Sequence, residues 1–564
     1  MKHLKKTPSS LLSLCLTGLL TACGGGGGSN GDDLVPSEEG SVTLSGSVFA
    51  APVRGASVTL SDCSGHELTA PAVSDEGGAY RFSIPSDYLN GDLCILATGG
   101  VFDDEATGTR DRPAGRLAAF VPAGGMGPDA SVHLTPGSTI IHDLITRHGQ
   151  APDDARALFL ATFGYAPDLG VAPTDATRPA TSDKASQRAG LRAALFSQLT
   201  MELGLLATDQ FSLLEALARD LADGTLDGGD DGGPISVTGT SVTLPADILN
   251  RYANAMYEFR AGGREATDLG NAELGTLPFA RLALTNNYRV EYLDDGAAPT
   301  EGKSSFRLKI SDADGNPAPG LAVSLMPMMY MSGMAHGTPV AEVTDVDSDG
   351  IYDATVYYLM ASSMMNGMSM GYWKLDIMVG GEKATFYPNV MMAMGDSVKA
   401  TLKGGQTDMI AAMDMSGGMD MGHDMGGMAI SEEPRSYYIF KDALMAMSGS
   451  YTLKLFIAAK ENMMSYSPVY PGATLGGGQT DLIIDGATTT VEVSTDGGTT
   501  WIAAMPDSAT GIWTVTGLTG LTDGEQTEIQ VRLTVNGERK TSDGTASGLD
   551  AILRLTPGGM SMSM

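Results

Sequence analysis

The sequence predicts a multi-domain, mainly β protein built from sandwiches, with an α-helical bundle segment inserted between them. Two stretches of short alternating runs bounded by Gly, Asn and Asp, over 41–135 and from Phe306 onward, have the period of half-buried strands. Between them, from Ser138 to about Gly262, the apolar period lengthens to that of helices. A chain of 564 residues is long enough for roughly three to five such units.

Residues 1–22 read as a signal peptide. Lys2, Lys5 and Lys6 precede an apolar stretch from Leu11 to Leu20, too short to span a membrane as a mature helix. The segment ends at Leu20-Thr-Ala-Cys23, which resembles the bacterial lipobox and implies cleavage before Cys23 and a lipid on its sulfur; an ordinary secretory signal ending in cysteine is the alternative. By resemblance to other lipoproteins, Gly24 after that cysteine implies sorting to an outer membrane. Residues 23–40, rich in Gly, Ser and acids, form an expected tether of roughly 20–25 Å reach. The bilayer is thus one expected partner and the bacterial cell envelope the expected location.

The formal net charge is −32, and loss of residues 1–22 removes three more lysines and no acids. Such a field repels nucleic acid and anionic lipid and concentrates cations without selecting among them. Solubility of an exported protein explains most of it.

Over 41–135, strands are expected at Ser41–Val48, Ala56–Leu60, Ala79–Ile84 and Leu93–Ala97. Gly46-Ser-Val48, Gly55-Ala-Ser-Val58 and Asp75-Glu-Gly-Gly-Ala-Tyr80-Arg-Phe82 resemble carboxypeptidase regulatory-like (transthyretin-like) β-sandwiches, which implies a structural spacer. Cys63 and Cys94 remain once Cys15 and Cys23 are assigned to the leader. In an oxidising compartment they most simply form a disulfide, with a Cys-Cys metal site as the rival.

Over 136–270, helices are expected at Thr139–His148, Asp153–Phe163, Ser186–Leu206, Gln210–Asp223 and Pro245–Phe259. His142 and His148 stand about 240° apart on such a helix, do not face one metal, and read as surface histidines.

Over 300–395, strands at Phe306–Ile310, Leu321–Leu325, Val340–Thr344, Ile351–Leu359, Tyr372–Val379 and Lys383–Tyr387 indicate an Ig-like sandwich. Asp314-Gly315-Asn-Pro317, Met326-Pro-Met328-Met329, Asp349-Gly350-Ile-Tyr352 and Gly371-Tyr-Trp373-Lys-Leu375 resemble the YtkA/FixH-like exported domains, which implies an exported and often metal-related role. Residues 396–475 read as a Met/Gly-rich loop with flanking strands such as Ser436–Phe440 and Tyr451–Ala458, and 476–564 as a C-terminal sandwich. In the latter, Ser494-Thr-Asp496-Gly-Gly498-Thr-Thr500-Trp501 resembles the Asp-box hairpin of sialidases. With no arginine cluster or paired acids nearby, it reads as a folding motif.

The chemistry lies in sulfur. Of 33 methionines, 25 fall between Met326 and Met464. Thioether is a soft, uncharged ligand that favours Cu(I), or Ag(I), over harder cations, and it forms no disulfide in an oxidising compartment. If the strands from 306 to 387 alternate direction, the loops after the second, fourth and sixth share one end. Those loops carry Met326, Met328, Met329, Met331, Met334 and His336; then Met360, Met364, Met365, Met368 and Met370; then Met391, Met392 and Met394. Trp373 stands beside the second group, where its ring face suits a cation. A further tract alternates sulfur with Gly, Ser and Asp through Met415, Met419, Met421, His423, Met425 and Met428, leaving no continuous apolar face. Met378, Met445 and Met447 read as core filler instead. An adaptable contact surface or a reversible oxidant buffer are the other uses of exposed methionine.

Asp345, Asp347, Asp349 and Asp353 occupy the first, third, fifth and ninth positions of a calcium loop with Gly350 at the sixth, but Val356 stands where the bidentate glutamate belongs. That leaves a shorter Ca2+ turn or a polar hairpin. There is no H-E-x-x-H, C-x-x-C-H or phosphate-cradling glycine loop, and only seven histidines, so an enzyme is not expected. The reading is a lipid-anchored protein that holds Cu(I) for buffering, tolerance or delivery to a copper-handling protein; the alternative is a non-enzymatic scaffold with a methionine-rich contact face.

Overall fold

A computed structural model describes residues 40–412, 431–507 and 509–558. The signal peptide, the tether with Cys23, and Met415, Met419, Met421, His423, Met425 and Met428 all lie outside the described residues. The chain is mostly antiparallel β with five α-helices among the described residues, which is the expected fold class. None of these helices is long and apolar enough to cross a membrane.

The N-terminal sandwich packs a sheet ordered Ala72–Val73, Ser57–Ser61, Leu93–Thr98, Leu117–Val121 against the pair Ser41–Ser47 and Ala79–Pro85. Strict alternation drives it, since Tyr80, Phe82 and Ile84 point inward while Ala79, Arg81 and Ser83 face out. Cys63 and Cys94 are joined as a disulfide.

Five helices follow: α1 (Pro136–Thr146), α2 (Pro152–Phe163), α3 (Lys184–Glu202), α4 (Gln210–Leu221) and α5 (Ile248–Ala261). Each falls within a few residues of its expected place. Thr135 caps α1, accepting from Ser138 N–H, and Pro136 follows at the first helical position, where no N–H is needed. The sandwich and the helices share one continuous core, with Phe102 edge-on to Phe211 at 5.5 Å, so the boundary expected at 135/136 is not a gap between cores. His142 is buried beside Asp143, its Nδ1 3.0 Å from the carboxylate, and is not the surface histidine expected.

The central sandwich begins earlier than residue 300. Leu282–Leu284 and Tyr288–Asp294 form the edge of a sheet continued by Gly302–Asp312 and Ile351–Tyr358. Facing it is a second sheet ordered Met334–Gly337, Val323–Met331, Tyr372–Val379, Glu382–Phe386. Between the sheets lie Tyr292, Phe306, Leu308, Tyr358, Trp373 and Phe386.

The C-terminal region is one sandwich rather than the two units expected on either side of 475/476. Ser436–Met447 and Ser450–Lys460 pair with each other and then with Ile512–Leu518, and a single core joins Tyr437 and Leu455 to Val491, Trp513 and Leu533. The Asp-box turn is built as a fold element: Asp496 accepts from Thr500 N–H, the Ser494 hydroxyl and Thr499 N–H, which holds its pKa down at about 2. Central and C-terminal sandwiches meet through Tyr357 stacked on Phe456 at 3.9 Å and a Lys303–Asp442 ion pair of 2.7 Å.

Candidate functional site

The first methionine cluster is not a loop. Val323–Met331 is a nine-residue strand whose Leu325, Pro327 and Met329 turn inward while Met326 faces out. A tight turn at Ser332-Gly333, with Gly333 at φ +81°, returns the chain as Met334–Gly337. The register pairs Met331 with Met334 and Met329 with His336, and on the other side Met329 with Trp373. Directly opposed residues share a face. Met329 is therefore a fully buried core residue, and Met331, Met334, His336 and Trp373 lie on that same inner face at its open end.

The second cluster closes over this end. Ile351–Tyr358 runs out at Met360, and residues 362–370 fold into a small hairpin in which Met364 N–H donates to Met368 O and Met370 N–H to Ser362 O. Gly371, at φ +140°, brings the hairpin base against the first sheet: a Cβ there would lie 2.0 Å from Tyr330 O. The third cluster joins through Ser362 N–H donating to Val390 O at 2.8 Å, next to Met391. Met360 and Met370 are half-buried against the core; Met364, Met365, Met368 and Met394 are exposed. Met328 is half-buried on the face away from Met329.

The centre of this rim is His336. Its Nε2 stands 3.3 Å from Met360 Sδ, and its Nδ1 stands 2.7 Å from Gly337 O. A carbonyl only accepts, so Nδ1 carries the proton and Nε2 presents a lone pair to the sulfur, itself a lone-pair bearer. Burial lowers the imidazole pKa, with Lys460 adding to the fall, which favours the neutral ring. Trp373, fully buried, donates from its indole N–H to Met360 O at 3.1 Å and sets its ring perpendicular to His336 at 5.6 Å. The two rings are thus perpendicular, and the indole N–H positions the Met360 backbone.

Two residues absent from the expected ligand set reach the same place. Met463 O accepts from Gly337 N–H at 2.7 Å, and a Cβ on Gly337 would meet Met464 O at 2.4 Å. This loop belongs to the C-terminal sandwich, and the Gly337 that receives it was the only local signal. Met445 and Met447, expected as core, are exposed at the end of a long hairpin. Met378 is half-buried on the outer face of its strand. The Met415–Met428 tract is bracketed by Met409–Ala412 and Ser431–Pro434, which pair antiparallel up to Ala412–Ser431.

Asp345, Asp347, Asp349 and Asp353 lie at the opposite end of the sandwich. Asp345 accepts from Asp349 N–H and Gly320 N–H, and Asp349 from Ile351 N–H, so those carboxylates cap a hairpin turn. Among the described residues no three His, Cys, Asp or Glu groups gather at metal-holding distance, and the disulfide removes Cys63 and Cys94 as ligands.

No family model and no curated protein matches this chain. Among solved structures, the Yersinia pseudotuberculosis adhesin InvE is 14% identical over 46% of this chain and 58% of its own, with a TM-score of 0.14. The match therefore spans less than two thirds of InvE. The Escherichia coli adhesin FdeC is 15% identical over 49% of this chain and 67% of its own, and domains 5–6 of the S-layer protein SbsC are 12% identical over 47% and 96%, both with a TM-score of 0.14.

Proposed function

We propose that this chain is a non-enzymatic binding protein of the bacterial cell envelope, held to a bilayer through Cys23, whose ligand is Cu(I) or Ag(I). The observation that carries the reading is the His336–Met360 pair. Two lone pairs facing at 3.3 Å repel; a soft cation between them turns that repulsion into two bonds. Ligand bonds of about 2.0 Å to nitrogen and 2.3 Å to sulfur at a tetrahedral angle place the two donors about 3.5 Å apart, a few tenths of an ångström of opening. The Nδ1–H bond to Gly337 O fixes the tautomer that a metal-bound imidazole uses. Met331 and Met334 share the face and supply further thioethers. The Met415–Met428 tract, with His423, adds a second soft-donor region, suited to loading the rim or to passing metal to a copper-handling partner.

The second reading is an adaptable contact face for another protein. It is favoured by the exposure of Met364, Met365, Met368 and Met394, which lie outside the His336 cluster. Competition titration of residues 24–564 with Cu(I) against a chelator separates the two. With the tract methionines replaced by leucine, one tight equivalent remains, and His336→Leu with Met360→Leu weakens it at least tenfold, whereas leucine at the four exposed positions leaves it in place. Tight binding that survives the double variant removes the His336 site.

A further inference from the structure

A second site lies in the helical segment and is independent of sulfur. Arg188 and Arg192 stand one turn apart on α3, where like charges repel by a few tenths of a kcal/mol. In a chain with nearly twice as many acids as bases, neither guanidinium meets a carboxylate among the described residues. The Arg192 guanidinium instead lies 4.2 Å over the Tyr165 ring, in surroundings that lower its pKa by burial.

Both arginines line a cavity of about 200 Å³. The room comes from the same helix face, which offers Ala185, Ala189 and Ala193 where a core helix would place larger side chains. The opposite wall is the start of α1: Thr135 and Gly137 line it, Pro136 between them has no N–H, and the helix dipole is positive there. Gly137 is required by closeness, since a Cβ would sit 2.9 Å from Pro167 and 3.1 Å from the Tyr165 hydroxyl. His133 completes this side, with one ring nitrogen held by Ser47 Oγ at 2.8 Å. One carboxylate is present, Asp168, whose Oδ1 accepts from Gly170 N–H at 3.0 Å.

We propose that this cavity binds a small oxyanion-bearing ligand, a carboxylate or a phosphate, gripped by Arg188 and Arg192 against the N-terminus of α1. The volume equals that of about seven waters, so the ligand has on the order of seven to ten non-hydrogen atoms. The paired guanidinium groups suit the planar oxygens of either anion.

The test is calorimetry and thermal unfolding of the full chain with inorganic phosphate and, separately, succinate; the tighter of the two identifies the oxyanion. Saturable binding that raises Tm is expected for at least one. Arg192→Gln weakens it at least tenfold, Arg188→Gln by a smaller factor, and Asp168→Asn tightens it several-fold by removing the one opposing charge. If Arg192→Gln fails to fold, the Arg188→Gln and Asp168→Asn pair still decides. Absence of saturable binding to both anions, or binding indifferent to Arg188→Gln and Asp168→Asn, overturns the site.

Discussion

Among the described residues, two of the buried polar clusters, one in each of the last two sandwiches, are built on opposite rules. In the C-terminal sandwich Asp408, Arg435 and Lys540 are almost wholly removed from water. Asp408 accepts from Arg435 Nε at 2.8 Å, Lys540 Nζ at 2.8 Å and the Tyr437 hydroxyl at 2.6 Å, and Arg435 spends Nη1 on Lys460 O and Gly476 O. In the central sandwich His336 and Met360 are also shielded, but Nε2 and Sδ face each other with no proton between. A buried group costs free energy unless it is paired. The closed cluster meets that condition by itself, so its role is to hold chain segments together; the open pair meets it only when something enters.

Breaking the closed cluster has the largest expected effect. Asp408→Asn leaves buried Arg435 without its carboxylate and buried Lys540 with Glu538 alone, a loss of about 3–5 kcal/mol in denaturant unfolding. Burial pushes the Asp408 pKa up, yet Lys540, Tyr437 and Arg435 together bring it below its usual value. A depressed folded pKa means that the stabilisation is present above the unfolded value, near 3.9, and is lost as pH falls through the folded one. Cu(I) affinity at His336 is expected not to change in this variant. A neutral Asp408→Asn would erase the contrast.

Glu202 sharpens the comparison from between the extremes. It closes α3 with one partner, Gln198 Nε2 at 3.1 Å, and burial raises its pKa to about 7. A raised carboxyl pKa costs nothing below the unfolded value, near 4.3, and its cost grows with pH until about 7. Glu202→Gln is therefore expected to stabilise at pH 8 by about 1–3 kcal/mol and to change little at pH 4. Chemical denaturation at the two pH values reads the difference.

The periodic features of this contrast were legible and the pairings were not. The five α-helices announced themselves by their apolar period, as in α4, where Phe211, Leu214, Leu217 and Leu221 are buried over more than two turns. The convergence of methionine stretches on one end followed from alternation of strand direction. What failed was local: Met326–Met331 looked like loop because Pro327 interrupts it, yet Pro327 sits on the inward face of a strand whose partners tolerate it. Met329 therefore went to the core and His336 to the rim. The C-terminal sandwich was divided because Asp408 and Lys540, 132 residues apart, carry no sequence pattern that announces their meeting. Met463 and Met464 were missed for the same reason, since their place beside Gly337 is a contact between sandwiches.

The smallest expected effect tests the open pair itself. Because His336 gains one hydrogen bond and leaves Nε2 facing sulfur, His336→Leu is expected to change stability by no more than about 1 kcal/mol, against the several lost at Asp408. The pH dependence carries the sign. The folded pKa of His336 lies below the 6.5 of a free imidazole, because burial outweighs the raising effect of the Gly337 bond and Lys460 adds to the fall. Its neutral form is native, so its contribution to stability is whole above about 6.5 and is lost as pH falls from there to the folded value. Under the proposed Cu(I) reading the same shift keeps Nε2 free for metal, since protons compete for it only below that folded value. Cu(I) affinity of the tract-substituted protein is thus expected to stay flat from pH 8 to 6.5, where an exposed histidine already begins to lose ground. A fall of about twofold between pH 7.5 and 6.5, read by chelator competition, means that Nε2 titrates as in water and that the pair at the rim is not the closed pocket its geometry describes.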